Sequence, residues 1–557
     1  MLIRDQQEQI SWVSDFMTPG YHQFCMNTPY ADILAAQVRE VVTNYKADGI
    51  FLDIVGVREC YCQHCIAEIR RRGSDPRNRD DMKSMWEDTY FRYAQKMNNA
   101  VHAIRPGLPV FHNSSHVDRG RRDLAQVNTH LELESLPTGG WGYDHFPLSA
   151  RYAQNLGLDY LGMTGKFHTS WGEFGGFKHP NALRYETALS LANGARCSIG
   201  DQLHPTGIMD LATYSLIGEA YKEVEAKEGW CRDTTAVCDV ALLSVEAAYH
   251  ASGSPPTGHN HADTGAVRIL LEGHYLFDVI DAEADLAPYK VIILPDDIAI
   301  TGTLQTKLKS FLTEGGKVLA TGRSGLKQGG TGFALDFGVQ WQGASEFKPS
   351  YFKPSFEIPS LRSSSFVIYT ESQDVSLNPN GTVTGSKENP YFNRALFTFC
   401  SHQHTPSELQ AAGPGMVEGP DGIYLAWNVF EDYALKGSLP VKEIVMHALD
   451  RLLGQKTLFT NLPSQGVTTL QAQKGHNRWI HHVLYASPVR RGKNVEVIED
   501  LLPLIDTRVS IAAAEPVREV YLAPQRIALP FQQENGTVSY EIPTWVCHQM
   551  VVIQFGE

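Results

Sequence analysis

Over residues 1 to 230, short apolar runs alternate with longer stretches whose apolar residues recur at helical spacing. Leu34, Val38, Val41, Val42 and Tyr45 keep that spacing, and Thr28-Pro29 ahead of them reads as an N-cap with proline at the first helical position. The chain then enters Ile50-Phe51-Leu52-Asp53-Ile54-Val55, a strand with Ile50, Leu52 and Ile54 on one face and Phe51 and Asp53 on the other. A second helix is predicted from about Asp81 to Ile104, where Pro106-Gly107 stops it. Further strands fall at Val110–Asn113, His130–Glu134, Tyr160–Thr164 and Arg196–Asp201, and Met1–Arg4 reads as the end of a sixth. Strand and helix alternating in this way build a parallel sheet or barrel. A closed barrel needs eight strands, so the pattern predicts an incomplete α/β barrel of the (β/α)8 type, with the chain beginning inside it.

Residues 231–454 repeat the rhythm. Strands are predicted at Asp239–Leu243, Tyr289–Pro295 and Gly316–Ala320, with Ala266–Leu271 on a helix, which makes a second, flavodoxin-like α/β domain. The glycines of Thr321-Gly322-Arg323-Ser324-Gly325 and Gly329-Gly330-Thr331-Gly332 match neither the dinucleotide fingerprint nor the phosphate loop, and predict a flexible connection. Residues 455–557 carry alternating runs such as Trp479–Tyr485 and Arg518–Leu522, the pattern of a C-terminal β-sandwich. The first domain is thus set at residues 1–230.

A length of 557 residues, 43% hydrophobic and 20% charged, supports several domains with ordinary cores. The net charge of -14 argues against nucleic acid and anionic membrane as main partners, since both reward a basic footprint, and favours a neutral ligand. Met1–Gln9 has no apolar core of signal-peptide length, and no apolar run reaches membrane-spanning length, so a soluble, cytoplasmic protein is expected. Nine cysteines, an odd number with one tight cluster, fit reduced thiols and a metal site better than a disulfide framework.

Asp53 is the first catalytic candidate. It sits at the C-terminal end of its strand, where barrel enzymes project catalytic groups, although an aspartate ending an apolar run also serves as a cap or turn residue. Asp48, at the entry end, reads as structural. A hydrolase needs a second acid, and His130-Leu131-Glu132-Leu133-Glu134 supplies it. With Leu131 and Leu133 toward the helices, His130, Glu132 and Glu134 point inward. Glu134 lies nearer the mouth and is favoured as acid/base, with Glu132 as a pocket residue and Glu173 as a rival on a later loop. His112, Asn113, Trp141, His168, Trp171, Asp201 and His204 offer donors and aromatic faces suited to a sugar. Cys60, Cys62 and Cys65 have local spacing suited to zinc, with Cys25 as a fourth ligand; three reduced thiols are the alternative.

The Asp-Gly-Ile-Phe-Leu-Asp strand, the Cys-x-Cys-x-x-Cys cluster, Glu132–Tyr143 and Gly200–Pro205 together resemble the glycosyl-hydrolase-like barrels related to alpha-L-fucosidases of glycoside hydrolase family 151. The second domain resembles the beta-galactosidase trimerisation domain that accompanies such barrels. The resemblance implies a retaining glycosidase acting on fucosylated or other neutral glycans, without a catalytic cofactor, and a homo-oligomer. In related barrels the strand-ending aspartate of an Asp-Gly-x-x-x-Asp setting is the nucleophile, a role that falls on Asp53. The acid/base at Glu134 rests on strand order and parity. A comparable cysteine cluster binds zinc in some related beta-galactosidase barrels, so the resemblance implies a structural zinc here. A beta-galactosidase-like activity, or a non-catalytic sugar-binding or assembly protein, are the alternatives, the latter because early strands are missing.

Overall fold

The computed structural model describes residues 1–10, 20–252 and 261–556. It divides into two compact units, Met1–Leu133 with Leu158–Tyr160, and Glu134–Gly157 with Leu161–Glu557.

In the first unit α1 (Tyr30–Asn44) follows Pro29, whose φ of −56° suits a helix start, and Thr28 Oγ1 accepts from the Tyr30 amide at 3.3 Å. Strand β1 (Ile50–Leu52) comes next, then α2 (Gln63–Arg71), α3 (Arg79–His102) and β2 (Val110–His112). β1 and β2 pair in parallel, with Phe51 opposite Phe111. Ala35, Val38 and Val42 of α1 meet Tyr93, Ala94 and Met97 of α3 over Leu52 and Val110, and this is the core that seats the two strands. After α4 (Arg122–Ala125) comes β3 (Leu131–Glu134), whose Leu131 amide donates to Asp159 O at 2.8 Å.

Two expectations are corrected here. Met1–Arg4 forms no strand but only single bridges, Leu2 to Phe24 and Arg4 to Ile10. β1 stops at Leu52, so Asp53 and Ile54 lie beyond it; Ile54 takes a left-handed φ of 54° and is 47% exposed rather than facing a core. Among the described residues β1 has β2 as its one strand neighbour, which leaves Phe51 44% exposed and Asp53 exposed instead of enclosed by apolar groups.

The second unit opens with the end of β3, where the Ser135 amide donates to Met163 O at 2.8 Å. It continues with α5 (His145–Ala153), β4 (Tyr160–Gly165), α6 (Pro180–Ala192), β5 (Arg196–Gly200) and α7 (Leu211–Cys231). β4 and β5 pair in parallel from Leu161 with Arg196 to Gly165 with Gly200. Beyond them, strands Val240–Leu243, Phe277–Ile280, Val291–Leu294, Lys317–Thr321 and Gly422–Leu425 run parallel in one sheet, which antiparallel strands extend. Val240–Leu243 and Val291–Leu294 are buried along their whole length, as parallel strands covered on both faces must be. Two antiparallel sheets enclose the last core, with Val483, Ile511, Val538, Ile542 and Val551 inside. Thr235–Ala236 pairs into one of them through Gln471 and Ala472.

Gly322 belongs to a packed turn rather than a flexible connection. Its φ is 58°, and a Cβ there would lie 2.1 Å from Asn428 Oδ1 and 2.7 Å from Asp296 O. Among the described residues no helix is long and apolar enough to cross a membrane.

Candidate active site

In the first unit, Asn113 is the residue beyond β2 as Asp53 is the residue beyond β1. The ladder continues past both ends: the Asn113 amide donates to Leu52 O at 2.8 Å and the Val55 amide donates to Asn113 O at 3.0 Å. That fixes the Asn113 backbone, and its side-chain Nδ2 donates to Asp53 Oδ1 at 2.9 Å. Asn113 is buried and Asp53 exposed, so a fixed amide orients a carboxylate that is open to solvent.

His112, one residue earlier, is turned into the core. It is 2% exposed and lies edge-on to Tyr93 of α3; its backbone amide donates to Asn128 Oδ1 at 2.8 Å and its Nδ1 lies 3.2 Å from the same oxygen. Burial draws its pKa down to about 4, against the bond to Asn128, so the imidazole is neutral at pH 7. Glu132 on β3 is half-buried and bonds His130 Nε2 at 2.9 Å.

Cys25, Cys60, Cys62 and Cys65 are all buried, with their Sγ atoms within 4.8 Å of one another. Cys62 caps the N-terminus of α2, Trp86 Nε1 donates to Cys60 O at 3.0 Å, and Ile3, Trp86 and Tyr61 close the cluster. Hydrogen bonds among the thiols share the protons unequally: Cys60 and Cys62 fall below the usual thiol range, Cys25 and Cys65 rise above it. Four sulfurs on a tetrahedral zinc stand about 3.8 Å apart, from a Zn–S length of about 2.3 Å, so the set fits such an ion.

In the second unit, Glu134 is 7% exposed and takes the Trp171 indole N–H on Oε1 at 2.5 Å. Two glycines make room for that indole: a Cβ on Gly200 would stand 2.2 Å from the ring, and one on Gly165 3.1 Å. These are the last residues of β5 and β4, so the strand ends themselves seat Trp171. Phe167 meets it edge-on at 5.7 Å. Glu173, the rival acid, gives one oxygen to the Thr169 amide at 2.7 Å and folds over Gly176, the bonding of a loop clamp. Lys166 Nζ is buried over the Phe177 ring and 4.0 Å from Asp201 Oδ1. His168 is half-buried on the same loop, and His204 is exposed, with Nδ1 2.8 Å from Thr206 Oγ1 in its own turn. Trp141 lies edge-on to His145 at 4.8 Å.

A buried polar set escaped the sequence reading. Lys178 Nζ donates to Glu186 Oε2 and Thr164 Oγ1, each at 2.7 Å, and Tyr143 OH donates to Glu186 Oε1 at 3.3 Å. Burial raises the Tyr143 pKa well above the usual phenol range, and Glu186 adds to it. The set ties the end of β4 to α6 behind the Trp171 loop. The one sequence signal for it is Lys178 amid Gly-Gly-Phe-Lys-His-Pro, directly ahead of a proline-initiated helix.

Residues 268–333 match the model of the beta-galactosidase trimerisation domain. The chain is similar to the structure of alpha-L-fucosidase isoenzyme 2 from Paenibacillus thiaminolyticus, with 55% identity over 100% of this chain and 84% of that one, at a TM-score of 0.95. It also shares its fold with a beta-galactosidase from Bacillus circulans sp. alkalophilus (14% identity, 99% and 86% of the two chains, TM-score 0.70). A cold-adapted beta-galactosidase from Rahnella sp. R3 aligns similarly (14%, 96% and 83%, TM-score 0.66). No curated protein matches the chain. The fold is therefore that of the barrel glycosidases, followed by the trimerisation-type α/β domain and a β-sandwich.

Proposed function

The chain belongs to the family of the Paenibacillus thiaminolyticus alpha-L-fucosidase and is a glycoside hydrolase, and from that premise we propose that it releases alpha-L-fucose from glycans by a retaining mechanism. Asp53 is the nucleophile and Glu134 the acid/base. Asp53 attacks the anomeric carbon while Glu134 protonates the departing oxygen; Glu134 then deprotonates a water that displaces Asp53 and frees the sugar. A pair working this way stands about 5–5.5 Å apart. The observation that carries the reading is the exposed Asp53 carboxylate, held on one oxygen by Asn113 at the end of a parallel strand. Trp171 supports Glu134 by holding Oε1 in place.

Glu132, Asn113, His168, Trp171, Asp201 and His204 supply donors and aromatic faces toward the sugar, and Glu173 braces their loop. His112 contributes from the core as packing behind Asn113. The catalytic barrel comprises residues 1–230, the oligomerising domain 231–454 and the sandwich 455–557. The second domain, 231–454, drives self-association into a homo-oligomer. The four cysteines hold one structural zinc; metal analysis of the purified enzyme should find about one per chain, and Cys65→Ser should lose it together with stability. All nine cysteines are unpaired, which suits the cytoplasm.

A panel of aryl glycosides tests the substrate. Turnover of aryl alpha-L-fucosides with none of aryl beta-galactosides is expected; the reverse pattern would transfer the assignment to a beta-galactosidase, and binding without turnover to a sugar-binding protein.

A further inference from the structure

Past β3, the chain turns through Pro137–Asp144, and this turn forms one wall of a cavity of about 540 Å³. The helix His261–Glu272 supplies the second wall through Arg268 and Glu272, and the hairpin of strands Val489–Gly492 and Val495–Val497 supplies the third. The volume lies within the roughly 300–1,000 Å³ of small-molecule sites.

The lining selects among ligands by charge. Arg268 Nε donates to Asp144 at 2.7 Å, and Glu272 accepts from Tyr433 OH and from Lys442 Nζ at 3.0 Å, so both are already compensated. Arg490 faces Glu496 across the hairpin ladder, and its guanidinium donates to Asn494 at 3.2 Å. With three acids against two arginines there is no surplus positive charge to hold a phosphate, a sulfate or a carboxylate. What remains is a half-buried indole, Trp141, with the Gln465 amide, beside Tyr143, whose hydroxyl Glu186 holds, and Asn494, whose Oδ1 Arg490 holds. An aromatic face beside neutral amides and hydroxyls matches the apolar face and hydroxyl rim of a sugar ring.

The wall is built rather than loose. A Cβ on Gly139 would stand 2.1 Å from Thr169 O, so the turn lies flush against the loop carrying Trp171. Gly140 and Gly142 take φ of 94° and 82°, which glycine alone adopts freely. Trp141 packs on His145, whose Nδ1 lies 3.2 Å from Ser135 Oγ, next to Glu134 in the chain.

We propose that this cavity, lined by neither Asp53 nor Glu134, is a second carbohydrate site, which holds a neutral oligosaccharide against Trp141. Its chemistry stands whether or not Asp53 is the nucleophile. Saturation-transfer NMR and calorimetry on the full chain, with cellotriose and N,N′-diacetylchitobiose as probes, test it. Millimolar, saturable binding of either sugar is expected, undisturbed by excess L-fucose and weakened at least tenfold in Trp141→Ala. Gln465 is exposed, so Gln465→Trp fills the mouth with little cost to the fold and should block binding in the same way. No binding of either sugar, displacement by L-fucose, or unchanged binding in Gln465→Trp would each overturn the proposal. Aryl fucoside turnover by the unmodified chain reads the catalytic assignment independently of all three.

Discussion

Asp53 directly follows the strand Ile50–Leu52, and Asp296 follows the strand Val291–Leu294 after one proline; both strands pair in parallel with their neighbours. A left-handed residue marks each turn, Ile54 in one and Asp296 itself in the other. Their surroundings differ. Asp296 is 2% exposed and takes bonds from Thr321 Oγ1 at 2.8 Å and from the Phe430 and Glu431 amides at 3.3 and 2.7 Å, clamping the strand Lys317–Thr321 and the helix Val429–Lys436. Burial pushes its pKa up to about 7, although these donors pull it down. Asp53 is exposed and has one orienting amide, that of Asn113. A strand-end acid enclosed by donors is spent on the fold, whereas one held at a single oxygen stays open to solvent, as the proposed nucleophile must be.

Exchanging the two roles is the strongest way to break that comparison. Asp53→Asn should lower kcat by at least about 10⁴-fold, the scale of losing a nucleophile, with the melting temperature unchanged. Near-normal turnover would remove Asp53 from the mechanism. Glu134→Gln should cost about 10²–10⁴-fold on substrates with poor leaving groups and far less on activated aryl fucosides, measured as kcat/KM for the two series. The same split in Glu173→Gln would move the acid/base to the later loop.

Asp296→Ala should act on stability alone. It strands the buried Phe430 amide, the part-buried Glu431 amide and the Thr321 hydroxyl, so a loss of about 2–3 kcal/mol is expected in denaturant unfolding, with unchanged turnover per folded molecule. The smallest effect extends the contrast to imidazoles. His481 is fully buried in the sandwich between Thr468 and Tyr540, and burial lowers its pKa to about 3, against about 6.5 unfolded. Between those values the unfolded chain binds more protons, so stability is whole above pH 6.5 and falls as pH drops toward 3. Thermal melts over that range should show a shallower pH dependence in His481→Asn.

Strand positions and the line of descent were legible in the sequence, because period-two runs between helical stretches and the Asp-Gly-x-x-x-Asp and cysteine spacings are local signals. The parallel strands, the helix Arg79–His102 and the buried cysteine cluster follow from them. Exposure of Asp53 was not legible, since it depends on which strands flank β1. The Trp171 bond to Glu134 spans 37 residues and depends on Gly165 and Gly200 leaving room for an indole. Lys178, Glu186 and Thr164 meet only through the packing of α6 on β4, and the Gly322 turn is held by Asn428 and Leu425, more than a hundred residues on.

The central claim is that Asp53 forms the covalent link to the sugar, and chemical rescue tests it most directly. Asp53→Ala, given an aryl alpha-L-fucoside and sodium azide, should regain turnover and release beta-L-fucosyl azide, because azide enters from the face the carboxylate occupied. Recovery of turnover without that product, or no response to azide in a correctly folded Asp53→Ala, would contradict the assignment.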